Sequence, residues 1–322
     1  MYLQANARKV MAALELRARD SFREIAAHTG LSEQLVQYHV RKAEQRGFIL
    51  GYNALVDVAL LGYTFHIIYF RFFGLSSSEE LKWLKKNSEA PSVVLLSRNV
   101  GRWDATLGLV ARSQSDLNAG LSEISRGIAG KVAEMIVTTE VECHYSSLRI
   151  LHPGKLVLKG SKVPTSIREI DDIDRRILES LAKNCRIPVS ALSEELELTA
   201  PAVQRRITKL EQDNVILGYR AKYDYEGLGY TQFRVQLKLG DSSIELFNRI
   251  KRAVLASGVV ESASRYLGYA DLDFRCHARS LIELSDFLSS IRDRFVKEIV
   301  QIEILPLFYW RTVNYMPKLR EL

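Results

Sequence analysis

Residues 173–222 decide the fold of this chain; their sequence is IDRRILESLAKNCRIPVSALSEELELTAPAVQRRITKLEQDNVILGYRAK. Apolar side chains recur there at helical spacing in three successive runs, separated by short polar breaks. Thr199 and Pro201 stand at the start of the third run, and a hydroxyl N-cap followed by a first-turn proline is typical of a helix start. Residues 215–219 then have a strand-like pattern. Three helices followed by the first strand of a β-hairpin predict a winged helix-turn-helix.

The third predicted helix has an apolar stripe of Val203, Ile207 and Leu210, so its opposite face is polar. In a helix-turn-helix this polar face enters the DNA major groove, where Gln and Arg make bidentate contacts with adenine and guanine. An ordinary solvated helix face is the alternative, because Arg and Gln are common on any helix. The predicted DNA-binding residues of this module are Thr199, Gln204, Arg205, Arg206, Thr208, Lys209 and Arg220, the last two on phosphate.

Composition places the chain among ordinary globular proteins. Of 322 residues 47% are hydrophobic and 26% charged, and the net charge of +7 mildly favours a polyanionic partner. Cys143, Cys185 and Cys276 are scattered, which indicates neither a disulfide framework nor a zinc site. No signal peptide and no membrane-length apolar run stand out. We therefore expect a cytoplasmic protein with no cofactor, no metal and no membrane partner.

The chain contains an internal duplication with an offset of 167 residues. Leu14 falls on Leu181, Ile49–Tyr52 on Ile216–Tyr219, Leu61–Thr64 on Leu228–Thr231, and Asp104 on Asp271. Two copies of a unit of roughly 150 residues follow from this register. The predicted domains are a first winged helix-turn-helix (1–56), a first ferredoxin-like domain (57–151), an exposed linker (152–168), a second winged helix-turn-helix (169–223) and a second ferredoxin-like domain (224–322).

Copy one opens with its own helix-turn-helix, whose third helix is capped by Ser32. This helix is less basic than its counterpart, and Glu33 would lie near phosphates. The first module is therefore the weaker DNA-binding candidate. Its predicted contact residues are Gln37, Tyr38, Arg41 and Lys42.

After each module the pattern becomes strand, helix, strand, strand, helix, strand, which predicts an α+β fold with a ferredoxin-like antiparallel sheet and both helices on one face. The first strand of each sheet divides into two faces by its period of two. The face without helices carries Phe65, Ile67, Tyr69 and Arg71 in copy one, and Gln232, Arg234, Gln236 and Lys238 in copy two. The apolar face of copy one should not stay in solvent, so it predicts a sheet-to-sheet interface. The polar set of copy two is interpreted as solvated, or alternatively as lining a pocket for an acidic or zwitterionic ligand.

These motifs together resemble the Lrp/AsnC (feast/famine) transcription regulators. The resemblance rests on LTAPAVQRRITKLEQDNVILGYRA (residues 198–221) and on a βαββαβ unit with Gly-x-x-Asp in its central hairpin, and the tandem arrangement resembles archaeal regulators of doubled length. It implies RAM-like (ACT-like) ferredoxin-fold domains and double-stranded DNA as partner. It also implies an intrachain pseudo-dimer, further homo-oligomers, and an amino-acid-like small ligand near the Gly-x-x-Asp loop. The implied effector residues are Gly101, Asp104, Gly268 and Asp271. The alternative interpretation is that glycine permits the hairpin turn and aspartate caps it by bonding local amides.

Two other functions remain open at this stage. Sirohaem decarboxylases resemble the same family, but residues 97–104 and 264–271 contain none of the histidines found in the corresponding stretch of those enzymes. No nucleophile elbow, P-loop or metal spacing is present in the sequence either. We therefore predict that the chain is not an enzyme. An architectural DNA-binding protein without an effector is the second alternative, which salt dependence and sequence preference would distinguish.

Overall fold

The computed structural model describes residues 4–15, 17–146, 148, 160–312 and 316. Copy one comprises α1 (Ala5–Leu14), α2 (Phe22–Thr29), α3 (Glu33–Gln45), β1 (Ile49–Val56), a 3-10 turn (Val58–Leu61), β2 (Thr64–Phe72), α4 (Ser77–Asn87), β3 (Val93–Asn99), β4 (Ala105–Ala111), α5 (Gln114–Ser125) and β5 (Val132–Tyr145). A short strand, β6 (Ser161–Lys162), follows. Copy two comprises α6 (Asp172–Lys183), α7 (Val189–Glu195), α8 (Ala200–Gln212), β7 (Ile216–Tyr223), β8 (Thr231–Leu239), α9 (Ile244–Ala256), β9 (Val260–Leu267), β10 (Leu272–Ala278), α10 (Leu281–Arg294) and β11 (Ile299–Thr312).

Both helix-turn-helix modules form where the apolar periodicity predicts them. Ser32 caps α3 by accepting a hydrogen bond from the backbone N–H of Leu35 at 3.2 Å. Thr199 is the N-cap residue of α8, although its side chain makes no capping bond there. The apolar stripes of the two modules pack into one continuous hydrophobic core, so neither module has a core of its own.

The wing prediction is wrong in one respect: neither module forms a hairpin of its own. Instead, β1 pairs antiparallel with β7, its counterpart in the other copy. Asn53 lies directly opposite Arg220, which is the equivalent residue 167 positions later. A residue that faces its own equivalent marks a two-fold axis, so the two modules are related by pseudo-two-fold symmetry.

The two βαββαβ units form one closed barrel rather than two open sheets. Within the described residues, the strand order is β2-β4-β3-β11-β8-β10-β9-β5, and β5 also pairs with β2 to close the ring. The cross-copy seams are β3 with β11 and β5 with β9. Closure leaves none of these eight strands with an unpaired edge, which removes the usual route to edge-to-edge aggregation.

The predicted division of strand faces is confirmed for the helix-covered side. Ile68 and Phe70 pack with Trp83 of α4, and Val235 and Leu237 belong to the corresponding core of copy two. The apolar face of copy one lies inside the barrel, where Ile67 and Tyr69 are fully buried. The predicted sheet-to-sheet interface is therefore present, and it forms the interior of the barrel.

The solvated interpretation of the polar face of copy two is wrong for its central residues. Arg234 and Gln236 are both 3% exposed because they point into the same interior. The Tyr69 hydroxyl accepts from Arg234 at 3.1 Å and from Gln236 at 2.8 Å, and it donates to Asp273 at 3.2 Å. A polar cluster of this kind is tolerated in a core because its members bond to one another.

Further contacts follow the same pseudo-two-fold axis. Tyr69 accepts a hydrogen bond from Gln236, its own equivalent in copy two. Tyr269 accepts a hydrogen bond from Arg102, its own equivalent in copy one. Contacts away from the axis occur in matched pairs. Arg19 donates to the carbonyl of Cys185, and its equivalent Arg186 donates to the carbonyl of Ala18 at 3.2 Å.

The described part of the predicted linker packs against the barrel. Ser161 and Lys162 pair with Cys143 and Glu142 as an added strand on β5. The N–H of Arg168 donates to the carbonyl of Leu60 at 2.7 Å. This part is not a plain tether, while residues 152–159 lie outside the described residues.

Substitution of Gly108 would test how tightly the barrel interior is packed. A Cβ at this position would lie 2.5 Å from Cγ of Leu95 and 2.8 Å from the ring of Phe65. We expect Gly108→Ala to lower the free energy of unfolding by about 1–3 kcal/mol through overpacking. Urea unfolding monitored by tryptophan fluorescence measures the change.

The matched control is Gly218→Ala, also in a strand, where an added Cβ would meet no atom within 4 Å. That variant should be neutral or slightly stabilising, because alanine reduces the entropy of the unfolded chain. Equal stability of the two variants would show that the face carrying Gly108 is not packed as described.

Candidate nucleic-acid interface

Helix α8 presents a polar face to solvent while its apolar stripe anchors it. Val203 and Ile207 are fully buried, and Leu210 is 4% exposed. Gln204, Arg205 and Lys209 are exposed, as is Thr199 at the helix start, and Thr208 is half-buried. The structure thus brings these five predicted residues together on one rigid surface.

Arg206 lies at the edge of this surface and is already paired. Its guanidinium is 2.7 Å from Asp171 and 2.8 Å from Asp174, two residues at the start of α6. These two carboxylates raise the pKa of Arg206 above its usual value through charge-assisted hydrogen bonds. The arginine therefore braces α8 against α6, and contact with DNA would require it to leave both carboxylates.

The expectation that Arg220 touches phosphate is wrong, because the side chain is 6% exposed. It lies 3.3 Å from Glu15 at the end of α1 and 3.3 Å from Glu261 of β9. Glu261 in turn lies 3.1 Å from the ring of His277 in β10. This buried network ties the first helix-turn-helix, the β1–β7 ribbon and the barrel together.

The charges in this network are strongly perturbed. Burial raises the pKa of Glu15 to about 7, although Arg220 opposes the shift. Burial would also raise the pKa of Glu261, but Arg275, His277 and Arg220 together hold it below its usual value. Burial lowers the pKa of His277. Glu261 is therefore the anionic centre of the network.

Helix α3 presents a chemically different face from α8. Tyr38 is 51% exposed and accepts a hydrogen bond from the Lys42 ammonium group at 2.7 Å. Glu33 and Arg41 are exposed, and Gln37 is half-buried. All four predicted contact residues of this module are accessible or partly accessible, with an additional carboxylate at the helix start.

The two Gly-x-x-Asp loops lie at the junction of the copies, but their carboxylates serve the fold. Asp104 accepts from the N–H of Phe72 at 2.6 Å, and Asp271 accepts from the N–H of Leu239 at 2.9 Å. Gly268 has φ of +118°, and a Cβ there would lie 3.3 Å from the carbonyl oxygen of Val137. Glycine therefore permits the turn, but each aspartate bonds a strand amide 32 residues away rather than capping its own turn.

The sequence did not predict the aromatic cluster of Trp103, Tyr69 and Tyr269 beside these loops. Trp103 is fully buried, with its ring 5.7 Å from that of Tyr69 and 5.6 Å from that of Tyr269. The Arg102 guanidinium lies over both Trp103 and Tyr269, at 5.0 and 4.9 Å. A large apolar ring within a turn was the available signal, since an indole is seldom left in water without a partner.

The histidines form separate clusters in the described residues. His144 lies 2.9 Å from Glu142 and 2.9 Å from Lys251, whereas His277 belongs to the Glu261 network. His66 lies between the hydroxyls of Thr64 and Thr139.

Nowhere in the described ranges do three His, Cys, Asp or Glu residues converge with metal-binding geometry. None of the helices described there is long and apolar enough to cross a membrane.

Family models match both helix-turn-helix modules. Residues 170–211 match the AsnC-type helix-turn-helix domain, and residues 3–49 match a winged helix-turn-helix DNA-binding domain. The leucine-responsive regulatory protein of Rhizobium meliloti is 32% identical over 155 residues, which cover 42% of this chain and 97% of that protein. An uncharacterized HTH-type transcriptional regulator of Pyrococcus furiosus is 30% identical over 133 residues, 41% of this chain and 86% of that protein.

The chain belongs to the Lrp/AsnC family. Each of these relatives aligns with only part of this Lrp/AsnC chain, in agreement with the internal duplication. The family resemblance inferred from residues 198–221 is confirmed, together with the α+β architecture.

A solved structure matches this Lrp/AsnC protein over nearly its whole length. The siroheme decarboxylase NirDL superposes with a TM-score of 0.63, covering 95% of this chain and 91% of that one. Sequence identity is 12%, so the likeness shows a shared fold and nothing about activity. A two-copy arrangement of helix-turn-helix modules and ferredoxin-like sheets is thus found in an enzyme as well.

The buried network should make stability depend on pH through Glu15. Its pKa is about 7 in the folded chain and near 4.5 when unfolded, so the folded state binds the proton more tightly. Stability from this group is therefore greatest below about pH 4.5 and falls as pH rises through about 7, by a few kcal/mol at most. Glu15→Gln should flatten the fall between about pH 5 and pH 8, as measured by urea unfolding.

Glu226→Gln serves as the control, because Glu226 is exposed. It should leave the pH profile of the free energy of unfolding unchanged. Parallel profiles for the Glu15 variant and the unmodified protein would contradict the assignment of a titrating buried carboxyl.

Proposed function

We propose that this protein is a sequence-specific DNA-binding transcriptional regulator in which α8 makes the principal base contacts. The observation that carries the proposal is the exposed Gln204–Arg205 pair on a helix whose opposite side is fully buried. Glutamine suits adenine and arginine suits guanine in the major groove. Two family relatives support this: the R. meliloti protein is named a regulatory protein, and another, from Escherichia coli, a DNA-binding transcriptional activator, 31% identical over 120 residues.

The roles of the remaining residues follow from their positions. Lys209 and Thr208 lie further along the exposed face and are assigned to phosphate and groove-edge contacts. Thr199, at the helix start, presents its hydroxyl where the helix N-terminus approaches the backbone. Arg206 is assigned to positioning α8 through Asp171 and Asp174 rather than to base contacts. Arg220 has no part in the interface because it is buried.

The two modules act together in this proposal. Pseudo-two-fold pairing of β1 with β7 gives one chain the pair of helix-turn-helix units that a dimer would otherwise supply. Two such helices engage successive major grooves on one side of the duplex, which requires half-sites about one helical turn apart. Helix α3 contributes Gln37, Tyr38, Arg41 and Lys42 to the second groove.

A regulatory rather than catalytic role fits the described chemistry. Each histidine near a carboxylate is held inside an ion-pair network, and burial lowers the pKa of His277. The Gly-x-x-Asp carboxylates are used by strands β2 and β8, so we do not assign an effector to Asp104 or Asp271. DNA recognition alone is therefore the proposed activity.

Arg205→Ala tests the assignment of α8. Loss of one bidentate base contact should weaken binding to the preferred duplex by about 10-fold or more. Binding to unrelated DNA should change little, since that term depends mainly on total charge. Fluorescence anisotropy with a labelled duplex from upstream of the coding sequence, with and without unlabelled competitor, measures both quantities.

The matched control is Arg126→Ala, which removes the same charge from an exposed position after α5. If both variants lowered affinity equally on specific and unrelated DNA, α8 would not be the recognition element. Binding by the unmodified protein that disappears with added salt and shows no sequence preference would instead favour non-specific coating.

A further inference from the structure

The duplication has preserved the scaffold of the two helix-turn-helix modules while their exposed faces have diverged. The Tyr52 hydroxyl donates to Glu44 at 2.6 Å, and its equivalent Tyr219 donates to Glu211 at 2.6 Å. The reciprocal contacts of Arg19 and Arg186 show the same conservation across the axis. These shared contacts place the two recognition helices at equivalent positions about the axis, although the Arg206 ion pairs hold α8 alone.

Two positions on the recognition face are identical in the two helices. Gln37 of α3 is the equivalent of Gln204 of α8, and Lys42 is the equivalent of Lys209. Both glutamines follow their N-cap by the same number of residues, so they occupy equivalent positions along the two helices. These positions predict one shared base, an adenine, and one shared backbone contact in each half-site.

Four further positions on the same face differ in chemistry. Gln34 stands where copy two has Pro201, so an amide replaces a proline ring. Tyr38 stands where copy two has Arg205, so an exposed phenol replaces a guanidinium. Glu33 stands where copy two has Ala200, so a carboxylate replaces a methyl group at the helix start. Arg41 stands where copy two has Thr208. Each exchange alters the hydrogen-bonding groups offered to base edges.

We propose that this protein recognises a non-palindromic DNA duplex, with two different half-sites arranged about one helical turn apart. The proposal rests on the DNA-binding function proposed above. The half-site under α8 carries guanine where Arg205 reaches and thymine beside Ala200, since a methyl group packs against the thymine methyl. The half-site under α3 carries neither preference; Glu33 accepts from a cytosine amino group there. The adenine contacted by Gln37 and Gln204 is common to both.

Recognition of two different half-sites is specific to a chain that fuses two copies. When two identical subunits pair, each recognition helix is the same, so the preferred duplex has two-fold symmetry. Here the axis that relates Asn53 to Arg220 relates two backbones whose recognition side chains are not the same. A symmetric scaffold with unequal contact surfaces therefore selects an unsymmetrical sequence.

The test is selection of preferred duplexes from a random pool by the full-length protein and two triple variants. Glu33→Ala, Tyr38→Arg and Arg41→Thr give α3 the side chains of α8 at three of the four differing positions, while Gln34 is retained because proline there would change the backbone of the first turn. Ala200→Glu, Arg205→Tyr and Thr208→Arg make the reciprocal change. We expect the first variant to select a palindrome of the α8 half-site, and to bind it about 10-fold or more tightly than the wild-type motif. The second should select a palindrome of the α3 half-site.

A protein carrying all six substitutions provides the folding control. Its two faces are exchanged at these three positions, so it should bind the wild-type motif with near wild-type affinity, in the opposite orientation. Failure of that protein to bind the motif would overturn the equivalence of the two helices.

The other outcomes separate the inference from the function on which it rests. A palindromic motif from the unmodified protein would overturn the inference and leave sequence-specific binding intact. A motif confined to one half-site would overturn the role given to α3. Selection of no motif above unrelated DNA would remove sequence recognition itself, and the inference with it.

Discussion

The structure depends on strand pairing between the two copies. Among the described strands, β1 and β7 pair with each other in a two-stranded sheet of their own. Each ferredoxin-like sheet has two edges, and both are covered by the other copy at the β3–β11 and β5–β9 seams. Unpaired strand edges and an exposed apolar face are costly in water, so neither half has a low-energy structure alone. The orientation of the DNA-binding helices follows from this mutual closure.

The sequence predicted those parts of the fold that local periodicity encodes. Helical spacing of Val203, Ile207 and Leu210 determines which side of α8 faces outward, and the structure agrees with it. Alternation in β2 and β8 likewise assigns the faces under the helices. The offset of 167 residues made two equivalent units evident before any contact was known.

Long-range pairing determined what the sequence did not predict. Arg220 follows a recognition helix, where a basic side chain usually indicates phosphate contact. Its actual partners, Glu15 and Glu261, lie 205 and 41 residues away, and no local pattern connects them. The polar face of Arg234 and Gln236 resembles a wetted surface for the same reason, because its partner Tyr69 belongs to the other copy. The specific base contacts of α8 and α3 remain predictions.

The interior of the barrel distinguishes one copy from the other. Tyr69 supplies a single hydroxyl that accepts from Arg234 and Gln236 and donates to Asp273. Pairing of copy one with another copy one would bury two phenols with no such partners. Pairing of two copy-two units would bury two Arg234–Asp273 ion pairs without the tyrosine hydroxyl that bridges them. Mismatched assembly between neighbouring chains is therefore disfavoured on energetic grounds. During synthesis, the first half that emerges from the ribosome is complementary to the half that follows it and not to its own twin on a neighbouring ribosome.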